Sequence, residues 1–157
     1  MQNKILTLDE LQDKIKILKE TGKTIVFTNG CFDLLHIGHT RYLQKAKSLG
    51  DVLIVAINSD DSVKKIKGET RPIIPQNERS EIIASLECVN YVIIFNEITP
   101  NKIIEILKPD IHVKGGDYKI DDLPEATIVK NYGGKLVIVD EIKEKSSSNI
   151  IKKIKSR

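Results

Sequence analysis

The chain has 157 residues, 40% hydrophobic and 30% charged, which suits one folded domain and excludes a disordered or fibrous polymer. With 25 basic and 22 acidic residues the net charge is only +3, short of the basic excess of a dedicated nucleic-acid binder. The longest apolar run, residues 52–57, is too short to span a bilayer, and Met1-Gln2-Asn3-Lys4 opens no secretory signal, so a cytoplasmic protein without membrane contact is expected.

Thr7-x-x-Glu10 reads as a capping box, with Leu8, Leu11, Ile15 and Leu18 on one helical face and Gly22 as the stop. Residues 24–28 predict a buried strand, followed by a glycine-containing loop and a helix over 37–49. Residues 52–57 are continuously apolar, as a parallel strand covered on both faces requires. Ser59 caps a short helix, and the polar stretch 64–75, with Gly68, Pro72 and Pro75, reads as a loop. A helix over 76–86 should turn Ile82, Ile83 and Leu86 inward, and 91–95 is the third strand. A helix begins after Thr99-Pro100 and ends at Pro109. Residues 111–113 are the fourth strand, 122–132 a helix and 136–139 the fifth strand. The last helix starts in Ser146-Ser147-Ser148.

Five strands alternating with helices predict an α/β, Rossmann-like doubly wound domain: a five-stranded parallel sheet with helices on both faces. One domain over 1–157 is expected, with an N-terminal helix in 1–22 and the core in 23–157. Ligands of such folds sit beyond the carboxyl ends of the strands, where the strand order reverses. The loops after the strands are therefore where chemistry should be sought. Cys31 and Cys88, the only two cysteines, form no Cys-x-x-Cys pair and read as reduced thiols.

The first such loop is Asn29-Gly30-Cys31-Phe32-Asp33-Leu34-Leu35-His36-Ile37-Gly38-His39. His36 and His39, three apart, share a helical face, and Gly38 lets another group approach the backbone. Free N–H groups at a helix start attract anions, and two imidazoles there can donate to phosphate oxygens. A zinc site completed by Asp33, or two structural histidines, are the competing readings. The second cluster is Lys64-Lys65-Ile66-Lys67-Gly68-Glu69-Thr70-Arg71 with Glu78-Arg79: a mobile cationic lid over a triphosphate, or a solvated basic loop. The third is Lys114-Gly115-Gly116-Asp117-Tyr118, whose glycines admit a ligand to the backbone and whose Asp117 could accept from sugar hydroxyls. The fourth is Lys145-Ser146-Ser147-Ser148, caps or a phosphate site. His112, between Ile111 and Val113, reads as structural.

These motifs resemble the His-x-Gly-His nucleotidyltransferase superfamily, and within it the heptose 1-phosphate adenylyltransferases. The likeness runs through Gly30-Cys31-Phe32-Asp33, His36-x-Gly38-His39, Asn58-Ser59-Asp60, Lys67-Gly68, Arg71-Pro72, Glu78-Arg79 and Lys114-Gly115-Gly116-Asp117-Tyr118. It implies transfer of AMP from ATP to a heptose 1-phosphate, with ATP as substrate, Mg²⁺ as companion and no protein-held metal. His36, His39, Lys67 and Arg79 would be catalytic. Asn29, Gly30, Cys31, Phe32, Gly38, Gly115 and Ser146 to Ser148 would line the nucleotide site. Asp33, Lys67, Arg71, Lys114, Gly116 and Asp117 would meet the substrates, with Arg71 holding the loop as its alternative role. The family has arginine where this chain has Lys145, and a lysine lacks the arginine's bidentate grip. Glycerol-3-phosphate cytidylyltransferases share His-x-Gly-His but commonly carry Gly-Thr-Phe-Asp and a Gly-Asp-Asp element. A nucleotide-sensing module is the non-catalytic alternative. The resemblance also implies a separate sugar kinase in the same pathway and leaves a homodimer open.

Overall fold

A computed structural model describes residues 2–116, 119–140 and 146–156. Asp117, Tyr118 and Lys145, singled out above, lie outside the described residues.

The sheet has five parallel strands in the order β3-β2-β1-β4-β5. They are β1 (Ile25–Gly30), β2 (Val52–Asn58), β3 (Tyr91–Phe95), β4 (Ile111–Gly115) and β5 (Lys135–Val139). The chain winds outward from β1 to β3, then returns to place β4 on the other side of β1. The order reverses between β1 and β4, so their carboxyl ends diverge and open a crevice there.

The unbroken apolar run of β2 has its explanation in the two faces. Val52, Ile54 and Ala56 pack into a core with Leu11 and Ile15 of α1 (Leu8–Glu20), Ile104 of α5 (Asn101–Leu107) and Val129 of α6 (Pro124–Asn131). Leu53, Val55 and Ile57 pack into a second core with Leu43 and Ala46 of α2 (Ile37–Lys47) and Ile83 and Ala84 of α4 (Gln76–Ala84). Alternate side chains thus need a hydrophobic neighbour on both sides.

The N-terminal capping box is present in full: Thr7 and Glu10 satisfy each other's backbone N–H groups. Just before it, Leu6 N–H donates to the Val92 carbonyl and Ile5 bridges β3. This segment covers one edge of the sheet, a connection that helical periodicity does not announce.

Two expectations change. Residues 64–67 belong to α3 (Asp60–Lys67), capped by Ser59, so the loop begins only at Gly68. Ile82 is 36% exposed rather than core-facing, while Ile83 beside it is fully buried. The last helix, α7 (Ser147–Lys155), buries none of its residues, and Ile154 is 66% exposed.

Candidate active site

The carboxyl ends of β1, β2 and β4, the start of α2, the end of α3 and the start of α7 enclose a cavity of about 450 Å³. Most of the sequence-predicted residues line it: Asn29, Gly30, Cys31, Phe32, His36, Gly38, His39, Lys67, Arg71, Lys114, Gly115, Ser146, Ser147 and Ser148. Asp33 also borders it.

His36 is the N-cap of α2. Its Nδ1 accepts from Gly38 N–H at 3.2 Å, which leaves the proton of a neutral imidazole on Nε2 and makes that atom a donor. His39, one turn on, stacks on His36 with ring centroids 3.9 Å apart and lies 5.3 Å from the Phe32 ring. Burial, and secondarily the neighbouring His36, depress the His39 pKa from 6.5 to about 4. His39 is therefore neutral at physiological pH. Its Nδ1 is sealed off without a hydrogen-bond partner among the described residues, so Nε2 is the atom through which the ring can meet a ligand. Phe32, which packs against it, has φ of 47°, and its ring lies against Gly30, where a Cβ would approach to 2.9 Å. Glycine at position 30 thus lets the strand end close beneath the aromatic ring.

Four sequence-based expectations are corrected: those for Asp33, the lid, Arg79 and Gly116. Asp33 does not present free oxygens to a substrate. It is 2% exposed and accepts from Arg71 Nε at 2.6 Å and from the N–H groups of Ile73 and Ile74, each at 2.9 Å. These donors hold its pKa below the usual carboxylate value although burial pushes it upward. The segment 68–75 is accordingly a strap pinned to the β1 loop, not a free lid, and Arg71 holds it. Arg71 Nη1 also lies 3.4 Å from Ser148 Oγ, joining the strap to α7.

Arg79 does not line the cavity. It is completely buried, and its guanidinium donates to the carbonyls of Ile74 (2.9 Å), Asn58 (2.9 Å) and Cys31, and to Asp60 Oδ1 at 2.7 Å. One planar side chain thereby ties the loops after β1 and β2 to the strap, which suits arginine's fixed fork of donors. Lys67, in contrast, is exposed at the end of α3, lines the cavity and makes no ion pair among the described residues. Gly116 (φ 115°) sits in the turn after β4 and donates its N–H to the Val139 carbonyl rather than bordering the cavity.

On the far wall, Ser146 caps α7 by accepting from Asn149 N–H, and Ser147 Oγ donates to the Leu34 carbonyl at 2.8 Å. These bonds dock the start of α7 beside the His36 loop. The remaining N-terminal amides of that helix form the kind of end that attracts anions.

Tyr42 and Ile98, absent from the sequence motifs, also line the cavity, as do Asn58 and Ile66, which the motifs contain without a site role. The helical repeat signals Tyr42: three residues after His39, it shares the face of α2 that meets the sheet. Its hydroxyl lies 2.6 Å from Thr28 Oγ1 and 3.0 Å from the Val113 carbonyl, spanning β1 and β4 where the order reverses. Among the described residues no three His, Cys, Asp or Glu side chains come together as a metal site. Nor is any described helix long and apolar enough to cross a membrane.

The pattern of the cytidylyltransferase-like family matches residues 27–154, spanning β1 to α7 and every cluster described above. The chain belongs to that nucleotidyltransferase family. It is 53% identical over 151 residues to the bifunctional protein HldE of Geobacter metallireducens, covering 96% of this chain and 31% of that protein. It is 46% identical over 155 residues to the HldE of Syntrophotalea carbinolica, covering 99% and 32%. The chain thus spans about a third of the length of these curated relatives. Among solved structures, the lipopolysaccharide core biosynthesis protein of Thermoplasma volcanium matches with a TM-score of 0.64 and 34% identity, over 79% of this chain and all of that one. The pantoate-beta-alanine ligase of Francisella tularensis, at 18% identity over 98% of this chain and 79% of its own, shares the fold with a TM-score of 0.60.

Proposed function

We propose that this chain transfers AMP from ATP to D-glycero-β-D-manno-heptose 1-phosphate, releasing pyrophosphate and ADP-heptose. The observation that carries the reaction type is the stacked His36–His39 pair at the start of α2, opening into a cavity that Lys67, Lys114 and the α7 serines also line. The Lys114-Gly115-Gly116 element at the end of β4, the HldE relatives and the lipopolysaccharide core relative support the choice of acceptor.

The sugar phosphate oxygen attacks the α-phosphorus of ATP, that P–O bond forms, and the bond to pyrophosphate breaks with its electron pair leaving on pyrophosphate. The nucleophile is already an anion at neutral pH, so no general base is needed. What the protein must supply is alignment and stabilisation of spreading negative charge. Neutral imidazoles suit this: they donate hydrogen bonds from Nε2 without first giving up a charged, solvated state. Lys67 brings mobile positive charge to the transferred or leaving group, and the α7 amides and serines meet the outer phosphates. Arg79 acts at a distance, by fixing the loops that carry these groups.

Among the described residues Asp33 is the one carboxylate bordering the cavity, and it is spent on the strap, so it builds no cage for a divalent cation. Mg²⁺ would arrive with the nucleotide rather than on a protein cage, and would supply neutralisation of phosphate charge. On this reading a sugar kinase supplies the 1-phosphate, and the reaction takes place in the cytoplasm.

His39→Ala tests the site. Loss of one such donor typically costs about 10²–10³ in rate. Pyrophosphate release from ATP and heptose 1-phosphate should fall by that factor with the thermal melt little changed; release near the wild-type rate would remove His39 from the mechanism.

A further inference from the structure

Lys114, at the end of β4, borders the cavity with its side chain 24% exposed, and its Nζ lies 2.6 Å from Glu125 Oε1. Glu125 belongs to the first turn of α6 and its side chain is only 4% exposed. A carboxylate in a first helical turn favours the helix dipole from the surface just as well. Drawing it inside costs desolvation that only a close partner offsets. Burial does push the Glu125 pKa up, but the Lys114 hydrogen bond, the bond to Glu125's own backbone N–H and the Lys114 charge together bring it below the usual value.

Nothing else nearby claims that carboxylate among the described side chains. His112, the buried neighbour of Lys114 two residues back on β4, stacks on Phe27 at 5.5 Å and has neither ring nitrogen in a hydrogen bond. It is held neutral by burial, with a pKa near 4. Among the described residues Lys114 therefore spends one of its three N–H donors, on Glu125, and has two left at the cavity wall. A lysine is a flexible point charge that loses much rotamer freedom when it binds; a buried partner removes that freedom beforehand. Lys67, exposed across the cavity, has no such anchor.

We propose that Glu125 is a positioning residue: it fixes the Lys114 ammonium on the β4 wall so that the two remaining donors meet a nucleotide phosphate without reorganisation. Glu125 itself touches no substrate, and its effect passes entirely through Lys114. This inference rests on the nucleotidyl-transfer reading above.

The test is a double-mutant cycle with Glu125→Gln, Lys114→Met and the combined variant. It is scored on kcat/KM for pyrophosphate release and, separately, on the Kd for ATP by calorimetry. Each single change should weaken both quantities by about tenfold, the scale of one charge-assisted hydrogen bond. The double variant should be no worse than Lys114→Met alone. Losses that multiply, or a Glu125→Gln protein with wild-type kcat/KM and ATP affinity, would overturn the proposal. Thermal melts accompany each variant. If Glu125→Gln does not fold, Glu125→Asp keeps the charge inside but shortens the reach, and should lower kcat/KM severalfold in a folded protein; unchanged kcat/KM there would refute the role. Should the wild-type chain release no pyrophosphate, the function reading falls, and the cycle is decided on ATP affinity alone.

Discussion

His112 makes the fold acid-sensitive in a calculable way. It is fully buried on β4, and burial lowers its pKa from 6.5 to about 4. The folded state therefore resists the proton that the unfolded chain accepts below pH 6.5. Stability is unaffected above that value, falls as pH drops from about 6.5 to about 4, and levels off below. At about 1.4 kcal/mol per pH unit the whole effect is about 3 kcal/mol, and about 2 kcal/mol of it is lost by pH 5. His112→Leu removes the titrating ring and two unpartnered buried nitrogens while keeping an apolar group against Phe27. Urea unfolding of both proteins at pH 7 and pH 5 reads the difference. The wild type should lose about 2 kcal/mol more than the variant over that interval, with similar m-values. Equal losses would show that His112 does not enter the fold as a buried neutral group.

Further outcomes follow from the two buried anchors. Arg79→Lys keeps the charge but cannot reach four acceptors, so stability should fall by about 3–5 kcal/mol. Thermal unfolding checks this, and an unshifted melt with lost turnover would place Arg79 on the substrate after all. Asp33→Ala strips three donors of their acceptor and should release the strap, seen as rapid limited proteolysis within 68–75 and about 3–5 kcal/mol lost stability. A strap as protease-resistant as in the wild type would contradict the role given to Asp33.

Much of this was legible in the chain itself. The two-sided apolar run of β2, the Thr7–Glu10 capping box and the serine start of α7 follow from local rules, and each is present. The His36–His39 spacing put both rings on one face because a helix repeats every 3.6 residues. What stayed hidden depends on contacts distant in sequence. A conspicuous Glu78-Arg79 pair reads as a phosphate contact until the fold surrounds Arg79 with carbonyls from positions 31, 58 and 74. Asp33, equally conspicuous, is consumed by backbone N–H groups 40 and 41 residues away. The lysine-rich stretch 64–67 reads as loop by its charge, but it ends a helix anchored through buried Val63 and through Ser62, whose Oγ accepts from Asn58 and donates to the Glu97 carbonyl. Glu125 carries no signal in the sequence, since an acidic residue after a proline at a helix start is ordinary until its burial is known.

The central claim is adenylyl transfer to a heptose 1-phosphate, and a substrate panel tests it most directly. ATP, CTP and GTP are each paired with D-glycero-β-D-manno-heptose 1-phosphate and with glycerol 3-phosphate, and pyrophosphate release and the sugar nucleotide are measured. The account predicts that ATP with the heptose 1-phosphate gives the highest kcat/KM and yields ADP-heptose. A strong preference for CTP, or tight nucleotide binding without pyrophosphate release for either acceptor, would contradict it.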